Sequence, residues 1–283
     1  MKPRLVIWSA VLLGLVVACD EVEPASRLER PRILAVRAVV EPTTAGGSPS
    51  SSPRPGERFR VETTTASAGS ERNAFGSLSF VACPTDDAFA ALHCTGPRLV
   101  PASGADVSFV APSGGPSSLL LFGMACVDGV ATVADTALTG SCSRGTGQEI
   151  SLRVDVGQEV NLHPNFRPGA VAFDGAPMDE GGGCDDRPRL VRADGATHRI
   201  VVDGGLLGIE QGEEPLLTHV ATLGELDGLY SVRDPDRGFR VGWKAPTALS
   251  EARTTARFHF VLRDGRGGLA THVARICLEK GGS

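Results

Sequence analysis

The feature that most constrains this chain is the way its apolar residues are spaced, in short runs that alternate with polar ones. Phe59, Val61, Thr63 and Thr65 alternate with Arg60, Glu62 and Thr64. Successive side chains of a strand point to opposite faces, so a period of two marks a strand with one buried face. Residues 33–40, 78–83, 107–110, 119–126 and 150–156 read as strands in the first half, the earliest of them stopped by Pro42. Residues 170–173, 197–202, 216–222, 239–243, 257–262 and 271–278 are the candidates in the second half. Thirty-five glycines and nineteen prolines are spread between them, which favours many turns over long helices. Residues 86–92 are the one stretch that reads as helical, and it is short. Short strands with turn signals between them predict an all-β chain of antiparallel sandwiches.

The intervening segments divide that chain. Residues 43–56, rich in Gly, Ser and Pro, cannot bury a core and read as a flexible loop. Gly157, Pro164 and Pro168 mark a boundary near 157–168, which predicts one sandwich over 31–157 and a second over 169–283. The core of the second is expected to draw on Trp243 and Tyr230 with few phenylalanines. Asp264-Gly265-Arg266-Gly267-Gly268 sits between its last two strands, where glycine supplies the positive φ of a tight hairpin. A phosphate-binding glycine loop needs a helix after it, and here a strand follows.

The N-terminus reads as an address. Lys2 and Arg4 precede an apolar run over residues 5–17, about the length of a signal-peptide core and too short to span a bilayer as a mature helix. The run closes on Val16-Val17-Ala18-Cys19, which resembles the lipobox of bacterial lipoproteins. That resemblance implies a signal peptide over 1–18, a diacylglycerol on Cys19, and a polar tether over 19–30. Asp20 resembles the inner-membrane retention signal of enteric lipoproteins, and sorting rules differ between bacteria, so the leaflet stays open. The expected membrane contact is the lipid anchor.

Seven cysteines less the lipidated one leave six: Cys83, Cys94, Cys126, Cys142, Cys184 and Cys277. An even number in an exported chain reads as disulfides. The absence of C-x-x-C and of His-Cys clusters disfavours zinc and thioredoxin-like redox chemistry. Six cysteines allow fifteen pairings. The simplest joins neighbours: Cys83 to Cys94, Cys126 to Cys142, and Cys184 to Cys277.

Residues 32–38, the proline-closed strand they open and Pro55-Gly56-Glu57 resemble the start of Ig-like modules in myxobacterial-type envelope lipoproteins. Leu121-Phe122-Gly123-Met124-Ala125-Cys126 and Asn161-Leu162-His163-Pro164 resemble their middle signatures. Trp243-Lys244-Ala245-Pro246 and residues 261–268 resemble the final strands of a PKD- or cadherin-like Ig sandwich. The likeness implies two disulfide-braced Ig-like modules and carries no activity over.

Candidate chemistry is thin. There is no G-x-S-x-G elbow, H-E-x-x-H, Walker loop or G-x-G-x-x-G, so no catalytic residue, metal ligand or cofactor site is assigned. His219, His259 and His272 lie in strand candidates and are open to convergence, although strand histidines are more often structural. Asp234-Pro235-Asp236 with Gly238 offers oxygens to calcium but lacks a full ligand series, and a solvated turn is favoured. Asp179-Glu180 and Asp185-Asp186 flank Cys184 as an acidic loop. A net charge of −5 with no block of one sign gives nothing toward nucleic acid. Two classes remain: a non-catalytic envelope module binding or spacing a protein partner, and a lipoprotein enzyme of hydrolase type with a loop-built site.

Overall fold

A computed structural model describes residues 26–40, 49–67, 75–85, 94–99, 107–114, 117–134, 138–157, 166, 170–178, 184, 189–202, 214–235, 237–264 and 267–281. Cys19, residues 86–92, the acidic residues around Cys184, Asp236 and Asn161-Leu162-His163-Pro164 lie outside them. Among the described residues every regular element is a strand.

The first module is built from β1 (Arg32–Val39), β2 (Arg58–Ala66), β3 (Ser77–Pro84), β4 (Ser108–Val110), β5 (Ser118–Cys126) and β8 (Gly147–Asp155), with a small hairpin of β6 (Ala131–Val133) and β7 (Gly140–Cys142). One sheet runs β1-β2-β4 and the other β3-β5-β8, all antiparallel. The apolar half of each alternating strand meets between them. Phe59 and Phe109, cross-strand partners with ring centroids 5.9 Å apart, share one buried cluster with Phe80, Leu119 and Leu121 of the facing sheet. Packing is tight enough to require a missing side chain: a Cβ on Gly123 would stand 2.3 Å from Cδ1 of its cross-strand partner Phe80. β5 is buried along all nine residues, and hairpin β6–β7 covers the far side of its end, where Met124 and Cys126 pack on Ala131.

The second module has ten strands. They are β9 (Val171–Phe173), β10 (Ala176–Pro177), β11 (Leu190–Ala193), β12 (Thr197–Val202), β13 (Leu216–Ala221), β14 (Glu225–Leu226), β15 (Tyr230–Val232), β16 (Phe239–Lys244), β17 (Arg253–Arg263) and β18 (Leu269–Lys280). The sheets run β10-β9-β12-β16-β14 and β11-β18-β17-β13-β15. Phe173, Phe239, Trp243, Phe258, Phe260 and the apolar residues around them fill the space between. The indole of Trp243 is fully buried and donates from Nε1 to the Leu223 carbonyl at 2.9 Å, which satisfies its one polar atom.

Both modules divide their strands in the same way. The first, second and penultimate-sheet strands (β1, β2, β4; β9, β12, β16) form one sheet, and the third with the last two (β3, β5, β8; β13, β17, β18) form the other. This is the strand division of an immunoglobulin-like sandwich. The second module adds an edge strand to each side, including β11, which runs parallel to β18.

Three disulfides brace the pair: Cys83–Cys94, Cys126–Cys142 and Cys184–Cys277, closing separations of 11, 16 and 93 residues. The glycine-rich loop after β17 is a hairpin connection, with Gly267 at φ +92 and the Gly268 N–H donating to Asp264 Oδ1 at 2.9 Å.

Three features depart from expectation. Residues 49–56, within the span read as a flexible loop, are held to the first module. Val40 and Ser50 exchange backbone hydrogen bonds at 2.8 and 3.2 Å, the Gly56 N–H donates to the Ala111 carbonyl at 2.8 Å, and Ser50 and Ser51 are buried. Tyr230 is not a core residue. It sits on edge strand β15 and is 64% exposed, and the phenylalanines do the filling instead. Residues 26–28, within the span read as a tether, are hydrogen-bonded to the second module. Leu28 N–H donates to the Ala221 carbonyl at 2.8 Å and Ala221 N–H donates to the Ser26 carbonyl at 2.9 Å, extending the sheet beside β13 in parallel. Leu28 is buried there.

The modules also touch directly. Register between β1 and β2 slips by one residue at Leu34, the signature of a bulge. The Leu34 carbonyl accepts from Arg263 Nη2 at 2.9 Å, and Arg263 Nη1 donates to Thr218 Oγ1 at 2.7 Å. In the opposite direction, Arg37 Nη1 of the first module donates to the Leu269 carbonyl of the second at 2.8 Å. Leu34 and Ala35 pack between the two arginines on Val261 and Leu269.

Candidate functional site

The outer face of sheet β10-β9-β12-β16-β14 carries an open trough of about 730 Å3. Alternation sets it up. His198, Ile200 and Val202 of β12 turn inward, which leaves Thr197, Arg199 and Val201 outward, and on β16 Arg240, Gly242 and Lys244 face the same way. Arg199 stands opposite Gly242 and Val201 opposite Arg240. The missing side chain at Gly242 makes the depression. Its N–H donates to Asp227 Oδ2 at 2.8 Å, and a Cβ there would lie 2.7 Å from that oxygen.

The second wall is the turn between β9 and β10. Asp174 and Gly175 both have positive φ, +46 and +79, as a two-residue type I′ hairpin requires. The turn points the Asp174 carboxylate back at β12. Oδ1 accepts the Arg199 N–H at 2.9 Å and Oδ2 pairs with His198 Nδ1 at 2.8 Å. Burial works to raise the Asp174 pKa, but the hydrogen bonds from Arg199 and His198 and the charges of His198 and Arg189 outweigh it. The carboxyl is held below its ordinary value.

His198 continues inward as part of an aromatic column. Its ring stacks on Phe173 at 4.9 Å and lies 5.6 Å from Trp243, while the Arg189 guanidinium covers the Phe173 ring at 5.0 Å. With Nδ1 committed to Asp174, only Nε2 is left for a proton transfer, and that atom is buried with no hydrogen-bond partner among the described residues. A general base must reach the proton it removes. This Asp–His pair locks the turn to the sheet; both residues line the trough, but the free ring nitrogen is not exposed to it.

The histidines singled out by sequence do not converge. His219, Phe260 and His272 lie side by side across β13, β17 and β18, so the phenylalanine separates the two imidazoles, and His259 occupies the opposite face. His219 is almost fully buried. Burial lowers its pKa, opposed by the Leu217 carbonyl, the Asp227 charge and the Gly228 carbonyl. The Asp234 turn is closed by its own backbone, with Gly238 N–H donating to the Asp234 carbonyl at 2.9 Å. Among the described residues no three His, Cys, Asp or Glu side chains are grouped to hold a metal. None of Asp174, Arg199, Asp227, Arg240 or Gly242 stood out in the sequence. The Asp-Gly pair after an apolar run was the one signal that pointed there.

The fold and the site together define a two-module immunoglobulin-like β protein with an open, polar trough on one sheet face. No family model and no curated protein matches the chain. Among solved structures, it is similar to SGBP-B of the Bacteroides ovatus mixed-linkage glucan utilization locus, solved with a mixed-linkage heptasaccharide. The two share 14% identity at a TM-score of 0.23, over 88% of this chain and 47% of that one. It is also similar to the D0-D1 domain of intimin, with 9% identity and a TM-score of 0.21 over 86% and 98% of the two chains. This chain thus spans about half of the first protein's length. Superposition at this level carries no argument about the trough.

Proposed function

We propose that this chain is a lipid-anchored envelope protein that works as a non-catalytic binding, adhesion or structural module. The observation that carries the reading is the trough. It presents Arg199 and Arg240 from β12 and β16 with Asp174 and Asp227 from the connections beside them, while the His198 ring nitrogen that Asp174 leaves free is buried. Charged groups held on strands and open to solvent suit recognition of a polar partner. A hydrolase built on the Asp174–His198 pair would want an accessible ring nitrogen, and Nε2 is buried.

The anchor rests on Val16-Val17-Ala18-Cys19, and the pairing of the other six cysteines supports it, because Cys19 is the one cysteine outside the three bridges. Disulfides also suit an exported chain. We place the protein at the outer membrane, on its periplasmic face or at the surface, with an envelope protein as its partner.

Two variants test the reading. Cys19→Ser should leave the membrane fraction or stall in maturation, and normal processing with membrane retention would sink the anchor. Arg199→Ala combined with Arg240→Ala should keep the wild-type melting temperature and lose the proteins that wild type captures from detergent-solubilised envelope. Unchanged capture would remove the trough from the function.

A further inference from the structure

The place where the chain leaves the second module limits how that module sits on a membrane. Ser26 and Leu28 are hydrogen-bonded to Ala221 at the end of β13, and Ser26 Oγ donates to the Leu226 carbonyl at 3.4 Å. Only six residues lie between Cys19 and Ser26, and the seven steps reach at most about 25 Å when fully extended. The eleven residues of β17 alone run roughly 36 Å. The tether is therefore shorter than the module is long, and it holds one edge of the module against the lipid rather than letting the body tumble above it.

That edge is apolar. Residues 26–28 run parallel to β13, so Ser26 lies on the side from which β13 arrives, where β15 takes over the pairing. The His219 N–H donates to the Leu229 carbonyl at 2.9 Å, and Tyr230 pairs with Thr218. Tyr230 and Val232 are 64% and 61% exposed, and Leu229 is 36% exposed. They form the largest run of exposed apolar side chains among the described residues, on an edge strand, beside the point where the lipid-bearing segment joins the fold. Tyrosine is enriched at membrane–water interfaces, where its ring sits among apolar groups and its hydroxyl stays wet.

We propose that Leu229, Tyr230 and Val232 form a second membrane contact, an interfacial patch that lies on the lipid surface when Cys19 is anchored. The proposal rests on the lipid-anchor reading above. It makes the β15 edge the membrane face of the protein, and the open strand edge is thereby shielded from pairing with another chain.

Tyr230 is the single tyrosine, and Cys19 is the one cysteine outside the disulfides, so the protein carries its own reporter and attachment point. The test uses the chain from Cys19 to Ser283 with 3-fluorotyrosine incorporated. It is coupled through the Cys19 thiol to a maleimide lipid in phosphatidylethanolamine–phosphatidylglycerol vesicles that carry an acyl-chain nitroxide. The fluorine signal should lose most of its intensity relative to vesicles without nitroxide. Leu229→Ser combined with Val232→Ser, both at exposed positions, should restore most of it. A signal that survives in the parent protein overturns the proposal. So does equal loss in parent and double variant, because tether proximity alone would then explain the quenching. The chemical link stands in for the biological lipid. A Cys19→Ser chain that stays processed and membrane-bound in cells would overturn the anchor and leave this measurement readable.

Discussion

The two modules share one strand division and hold it together by different means. The first is three strands on three, with two disulfides that close only 11 and 16 residues and a hairpin laid over the outside of its central strand. The second is five on five, with one disulfide that spans 93 residues and a parallel strand, β11, zipped to β18. Among the described residues of the first module no strand joins β1 to β8. A side chain bridges them: Gln148 Oε1 accepts the Ile33 N–H at 2.8 Å and its Nε2 donates to the Ile33 carbonyl at 3.2 Å. The second module instead extends each sheet with short edge strands, and the trough lies on the outer face of one of these widened sheets.

The sharpest way to break this comparison is to remove the long bridge. In the chain-entropy model a 93-residue loop is worth about 4.6 kcal/mol, against about 3 kcal/mol for each short loop of the first module. Cys184→Ser should lower the melting temperature of the second module by more than Cys83→Ser or Cys126→Ser lowers that of the first. Differential scanning calorimetry reads both. If the short bridges cost as much, the modules do not differ in the way their disulfides suggest.

The strand division was legible because alternation survives in sequence: residues 197–202 match β12 end to end, and 216–222 and 239–243 come within a residue of β13 and β16. What escaped was whatever depends on pairing. β11 and β15 are four and three residues long and too brief for a period to show. Tyr230 looked like core because aromatics usually are, and nothing in its neighbours says that its strand lies at an edge. Residues 26–28 are three residues long with one apolar side chain, too brief for a pattern, and only the flank of β13 pairs them into the sheet. The trough was hidden for the same reason. Arg199, Arg240 and Gly242 read as the wet half of two strands, and only the register brings Gly242 opposite Arg199.

The joint between the modules gives a middle-sized test. Arg263 is half-buried, burial lowers its pKa, and its guanidinium ties Thr218 on one module to the Leu34 carbonyl on the other. Hydrogen bonds from a charged donor are worth roughly 1.5–3 kcal/mol. Arg263→Met keeps the apolar stem and removes both bonds. Wild-type protein should unfold with the two modules coupled, and the variant should resolve them into separate calorimetric transitions. One unsplit transition in the variant would mean that the Arg37–Leu269 hydrogen bond and the apolar contact of Leu34 and Ala35 with Val261 and Leu269 couple the modules without Arg263.

The smallest effect concerns pH, and it separates the modules by a single residue. His219 is buried in the second module, with its folded pKa below the ordinary 6.5. The unfolded chain therefore binds a proton that the folded chain refuses, and the refusal costs stability as pH falls below about 6.5 toward the folded value. Above 6.5 both states are neutral at this site and the effect vanishes. Only one proton is involved, so the slope is at most about 1.4 kcal/mol per pH unit. Glu62 of the first module acts in the same sense but in a lower pH window. Burial works to raise its pKa, but hydrogen bonds and charge from Arg37 and then Arg60 outweigh it, so its contribution is lost only in stronger acid, below its ordinary 4.5. Denaturant unfolding between pH 7 and pH 5 should thus weaken the second module while the Glu62 term in the first stays constant. His219→Phe replaces the imidazole with an apolar ring beside Phe260 and should flatten the second module's pH response in that interval. If the variant loses stability from pH 7 to pH 5 as steeply as wild type, the acid sensitivity of the second module belongs to another group and His219 is a neutral filler of its core.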